Sequence, residues 1–120
     1  MVNLLNFAHP ITDEQLNQLD QLIGVQTYEV HNVPVQLDAR DSFVQQVNNL
    51  LVELDKEYKG RWKKEQFIVN LPSLNFITAL MLIKLHKRMG YYPKIIRMAR
   101  DEKSLAPKFE VVEVIDLDSV

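Results

Sequence analysis

The sequence predicts an α/β domain: a mostly parallel sheet of about five strands, three helices on its faces, and a last strand running antiparallel to its predecessor. Three observations predict it. Short apolar or β-branched runs alternate with longer segments of helical period. Polar helix-start and glycine helix-stop signals bracket those longer segments. The last two strand-like runs are joined by a loop too short for the crossover that a parallel pair requires.

The elements follow in order. Val2 to Phe7 is an apolar run interrupted by Asn3 and reads as a buried strand. Thr12 is placed to cap a helix, Gln15 completes a capping box, and Ile11 is set to staple onto Leu16. Leu16, Leu19, Leu22 and Ile23 recur at helical spacing, and Gly24 is the stop. Residues 25–37 are rich in β-branched side chains. Pro34 cannot donate to a ladder, so their second half is an edge, a bulge or an extended loop.

Asp41 or Ser42 caps a second helix, with Phe43, Val44, Val47, Leu50, Leu51 and Leu54 as its buried stripe. Residues 56–64 read as a basic, solvated loop around Trp62. Gln66 to Asn70 is a third strand. Pro72 suits the first turn of a helix over Leu74 to Met89, apolar on nearly all sides and therefore expected to be the most buried one. Gly90 stops it. Lys94 to Met98 and Phe109 to Leu117 are the last strands, the final one blurred by adjacent Val111 and Val112.

The 120 residues suit a single domain over 1–120, and 47% hydrophobic content is enough for a core without staples. A net charge of −2 argues against a general duplex nucleic-acid binder but leaves room for a local basic pocket. The absence of cysteine removes disulfides, thiolate nucleophiles and cysteine zinc sites. The apolar stretch near 74–83 is too short to span a bilayer, and no secretory signal is evident. The expected setting is cytoplasmic, with no membrane partner.

Open parallel sheets bind ligands beyond the carboxyl ends of their strands. That rule selects the loops at 6–10, 36–38, 70–73 and 97–100. Two of them enter helices, whose free amides and dipole favour an anion. The candidate ligand contacts are Asn6, Phe7, His9, Gln36, Asn70, Leu71, Pro72, Ser73 and Arg97.

Asn6 and Asn70 end two strands equivalently; each suits a turn, a phosphate or an adenine edge. Both are expected to be removable with little change in melting. His9 favours ligand contact over acid–base work, because no partner carboxylate is evident for it. Ser73 can cap a helix or touch a phosphate, and no nucleophile elbow surrounds it. Arg97, between Ile96 and Met98, suits a pairing role, and Arg100 a solvated one. His31 and His86 read as structural. No glycine-rich phosphate loop is present, three dispersed histidines make no metal pattern, and no cofactor is expected. Lys87, Arg88, Tyr91 and Tyr92 cluster at the opposite sheet edge, where packing is the commoner job.

With these loops laid out, the chain resembles the small CRISPR-associated proteins of the Csx-fifteen family, ancillary to type III systems. The resemblance rests on NFAHPITDEQL at 6–16, VPVQLD at 33–38, FIVNLPS at 67–73, LHKRMGYYP at 85–93 and FEVVEVIDL at 109–117. It departs from the family's pattern at Ala8, where members carry serine, and at Lys87, where they carry glycine. The resemblance implies a Rossmann-like fold, a homodimer, and a cyclic oligoadenylate ligand, above all cyclic tetra-adenylate. It implies a part in tuning the antiviral signal. Two functions are then expected to compete: sequestration of the ring, with possible joining of dimers through shared ligand, and metal-independent ring cleavage, in which His9 is the candidate catalytic contributor.

Overall fold

Thr12 accepts the Gln15 amide hydrogen while Gln15 Oε1 accepts that of Thr12, closing the capping box at the start of α1, Asp13–Ile23. Gly24 ends this helix at φ 77°, a backbone that side chains with a Cβ rarely adopt. The computed structural model describes all residues, Met1–Val120. The remaining elements are β1 (Val2–Asn6), β2 (Glu29–Asn32), α2 (Phe43–Tyr58), β3 (Gln66–Asn70), α3 (Asn75–Met89), β4 (Lys94–Arg100) and β5 (Phe109–Asp116).

The sheet order is β2-β1-β3-β4-β5, with the first four strands parallel and β5 antiparallel to β4. The α/β class, the strand number and the reversed last strand are as the sequence predicts. Successive strand residues face opposite sides of the sheet. Leu5, Phe67 and Val69 therefore join a core with α2 and α3, through Val47, Leu51, Leu54, Ile77, Met81 and Leu85. Leu4, Ile68, Ile96 and Val111 face the other way and pack on Leu19 of α1. Burial on both faces is why the strands read as continuous apolar runs.

Several expectations are corrected. The strand predicted within 25–37 contracts to four residues. Val33 makes the last sheet contact by donating to the Asn6 carbonyl at 2.8 Å, and Pro34 has no hydrogen to continue it. Helix α3 begins at Asn75, so Pro72 precedes it; the Pro72 carbonyl accepts the Thr78 hydroxyl hydrogen at 2.9 Å. Nor is α3 buried all round. Ile77, Met81, Leu85 and Met89 form one stripe, while Phe76 and Ile83 are 68% and 49% exposed, because no element of this chain covers its outer face. Leu22, Tyr28 and Val44 are likewise exposed.

The 56–64 stretch is not a solvated loop. Helix α2 runs to Tyr58, and Trp62 is buried against Tyr58 and Phe67, with ring centroids 5.2 and 4.9 Å apart. Its indole N–H donates to Asp55 at 2.8 Å, and Arg88 clamps the same carboxylate with bonds of 2.7 and 2.9 Å. The blurred final strand has a geometric cause. Arg97 faces Glu113 and Met98 faces Val111, leaving Val112 as the extra residue of a bulge. Gln18 of α1 accepts the Val111 amide hydrogen at 2.9 Å.

Candidate functional site

The chain leaves β1 toward one sheet edge and β3 toward the other, so the sheet reverses its direction of growth between these two neighbours. A crevice beyond their carboxyl ends follows from the diverging connections. Asn6 and Asn70 stand there in register, and Asn32 stands in register with Asn6 on the other side. The three amides form a hydrogen-bonded row. Asn6 Nδ2 donates to Asn32 Oδ1 at 2.8 Å, and Asn70 Nδ2 donates to Asn6 Oδ1 at 2.9 Å.

Asn6 also binds its own loop. Its Nδ2 donates to the His9 carbonyl at 2.7 Å, and its Oδ1 accepts the Ala8 amide hydrogen at 3.1 Å. Both donors and both lone pairs are used, and the residue has no solvent exposure. Asn6 therefore fixes the path of the 7–9 loop and has nothing left to offer a ligand. Asn70 keeps its Oδ1 without a protein partner. Asn32 was not singled out from the sequence. The signal was present, since asparagine ends the polar-flanked runs at 6, 32 and 70 alike.

Between the 7–9 and 72–74 loops lies a cavity of about 260 Å³, with buried Phe7 and Pro72 as its inner wall and Val35 at its side. His9, Ser73 and Leu74 line its exposed part. The amino terminus of α3 opens here without a side-chain cap, whereas Thr12 and Ser42 cap the other two helices. Leu74 occupies the cap position, and the Ser73 hydroxyl does not substitute for it. The amides of Ser73, Leu74 and Asn75 find no partner in the protein, while Phe76 is satisfied by Asn75 Oδ1 at 2.9 Å. Unpaired amides at the positive end of a fifteen-residue helix make an anion-ready surface.

The other predicted contacts fall outside this cavity. Leu71 is half-buried against the α2–α3 core. Gln36 lines a neighbouring cavity of about 280 Å³ beside Leu37 and Gln46, with Val35 between the two. Arg97 is three residues short of the strand end, because β4 continues to Arg100. Its Nε donates to Glu113 on β5 at 2.7 Å, so its pairing role is met within the sheet and not at the site.

The strongest electrostatic coupling lies elsewhere. Arg61 bonds Glu65, Glu29 and Glu57, and sits 4.7 Å above the Tyr58 ring. Hydrogen bonds from Arg61 and then Asn3 hold Glu65 down at about 2. Burial, and then the bond to Glu29, push the Tyr58 hydroxyl up. Tyr58 has one hydroxyl hydrogen and gives it to Glu29 at 2.9 Å; His31, 2.9 Å away on the same oxygen, must therefore carry its proton on Nδ1. This network ties β2 to α2. His86 stacks on Tyr92 with centroids 4.2 Å apart. No three His, Asp or Glu side chains gather as a metal site, and no helix is long and apolar enough to cross a membrane.

Compared with protein-family models, curated proteins and solved structures, the chain matches none.

Proposed function

We propose that this chain captures a cyclic oligoadenylate, cyclic tetra-adenylate in particular, and holds it uncleaved, so regulating type III CRISPR signalling by sequestration. The observation that carries the reading is the uncapped amino terminus of α3, open to a cavity at the sheet's reversal point. A phosphate there receives the Ser73, Leu74 and Asn75 amides and the helix dipole, which need no further cation. His9 lines the same cavity, and Asn70, which does not line it but is slightly exposed at the adjoining strand end, keeps Oδ1 as an acceptor for an adenine amino group.

A cavity of about 260 Å³ takes part of such a ring and not all of it. The remainder calls for a second copy, and a ring with internal symmetry suits two equivalent half-sites. The outer face of α3, with Phe76, Ala79 and Ile83 exposed, begins beside the cavity and supplies apolar surface for a homodimer. Ligand shared between dimers would add avidity without new chemistry.

Capture is favoured over cleavage by what surrounds His9. Ring opening needs a ribose hydroxyl aligned on its phosphate and a group to take its proton. The His9 ring makes no hydrogen bond to a carboxylate that would orient it, and Asn6 holds its loop through the backbone at Ala8 and His9, leaving the ring itself untethered. Incubation with cyclic tetra-adenylate followed by heating tests the reading. Stoichiometric release of the intact ring is expected. Linear products in multiple-turnover amounts, abolished by His9→Ala, would establish a ring nuclease instead. No binding at micromolar concentration would overturn both.

A further inference from the structure

A single helix lies on one face of this sheet. Five strands about 4.8 Å apart span about 19 Å, while a helix with its side chains is about 10 Å wide. Helix α1 covers Leu4, Ile68, Ile96 and Val111, and the layer ends at Ile23 and Val25. Beyond it, at the amino ends of β1, β3 and β4, opens the largest cavity of the molecule, about 690 Å³, which is the size of a small-ligand pocket.

Its lining is divided by chemistry. Lys63, Lys64 and Lys94 border it, and none of them takes part in any of the chain's ion pairs. Asp116 and Asp118 border it too, each already accepting one or more local hydrogen bonds and retaining further lone pairs. At the rim stands Tyr92, its ring steadied by stacking on His86. Free cations, acceptors for hydroxyl hydrogens and a fixed aromatic platform thus surround one space.

We propose that this amino-edge cavity is a second ligand site, taking a nucleoside phosphate. Its phosphates meet Lys63 and Lys64, its ribose hydroxyls donate to Asp116 or Asp118, and its base lies on Tyr92. A bare anion would use only the lysines, and an uncharged nucleoside only the remainder. Five strand residues, about 16 Å at 3.3 Å each, separate this edge from the α3 amino terminus, so the two sites stand or fall separately.

An NMR titration of the full chain with ADP tests it. Saturable amide shifts are expected at Gln66, Ile68, Tyr92 and Lys94. Tyr92→Ala should raise the dissociation constant at least about fivefold, and Tyr92→Phe should restore it. Lys63→Glu with Lys64→Glu should raise it about tenfold and flatten its salt dependence. Shifts that never saturate, or that fall at Ala8 and Ser73 instead, would overturn the site. Adenosine or inorganic phosphate binding as tightly as ADP would overturn the ligand class.

Discussion

Asn70 donates to Asn6 across 2.9 Å, and that bond joins the two strands between which the sheet changes direction. The same buried Asn6 amide holds the loop that carries His9. Fold and candidate site therefore share one side chain.

Asn6→Ala leaves the Ala8 amide, the His9 carbonyl, the Asn32 oxygen and the Asn70 amide short of a partner. It should cost about 1–3 kcal/mol, the penalty of one buried orphan, since the Asn70 bond is buried while the other three groups lie on exposed residues. Asn70→Ala, which removes one bond at a slightly exposed position, should cost less. Thermal melts of the two variants check the order. The expectation that both are silent in melting is corrected for Asn6 by its burial.

Leu74→Asp places a carboxylate at the uncapped start of α3. It should stabilise the chain by about 0.5–1 kcal/mol, as a restored cap does. It should also abolish capture of cyclic tetra-adenylate by occupying the amides and repelling phosphate. A melt and a calorimetric titration would read opposite signs from one substitution; weaker melting with unchanged binding would place the phosphate elsewhere.

Ile83→Glu and Phe76→Glu lie on the exposed face of α3 and should leave the circular dichroism spectrum unchanged. If this face joins two copies, light scattering should show the parent as a dimer and these variants as monomers. A monomeric parent, with and without ligand, would refute the dimer.

Acid should weaken the fold through its bonded carboxylates. Arg61, then Asn3, holds Glu65 at about 2 against an ordinary 4.5, and the Arg88 and Tyr58 bonds lower Asp55 and Glu29 respectively. A carboxyl with a depressed folded value binds its proton more readily in the unfolded chain. Its stabilisation is complete above the unfolded value and is lost as pH falls through the folded one. For Glu65 that window runs from 4.5 to about 2, and Glu65→Gln should flatten the denaturation curve there.

Tyr58→Phe keeps the aromatic packing but strands the Nδ1 hydrogen of His31 and one oxygen of Glu29. A cost of about 1–3 kcal/mol is expected, with the earlier unfolding midpoint followed by Trp62 fluorescence.

Local chemistry was legible in the sequence. The Thr12–Gln15 box, the Gly24 and Gly90 stops and the limits of Gln66–Asn70 depend on side chains within a turn of the backbone they shape. The meeting of the 7–9 and 72–74 loops was legible too, through the rule for strand ends. What depends on distant partners was not. The saturation of Asn6 needs three strand ends in register. The pairing of Arg97 needs the bulge that brings Glu113 opposite it. The lost burial of Phe76 and Ile83 depends on how many helices share a face, which the apolar pattern of α3 alone does not disclose.

The extra residue at Val112 bears on how copies of this chain can meet. An outermost strand is a template on which another chain can add, and a bulge spoils that template. On β5 the irregularity sits in the middle of the strand, with Glu110 and Glu113 on either side of it. At the opposite margin β2 offers only four residues before Pro34 removes a donor. Neither border offers a continuous template, so copies are not invited to join by sheet extension. Under the sequestration proposed above, that property lets the concentration of the chain rise without its sheets fusing into fibres.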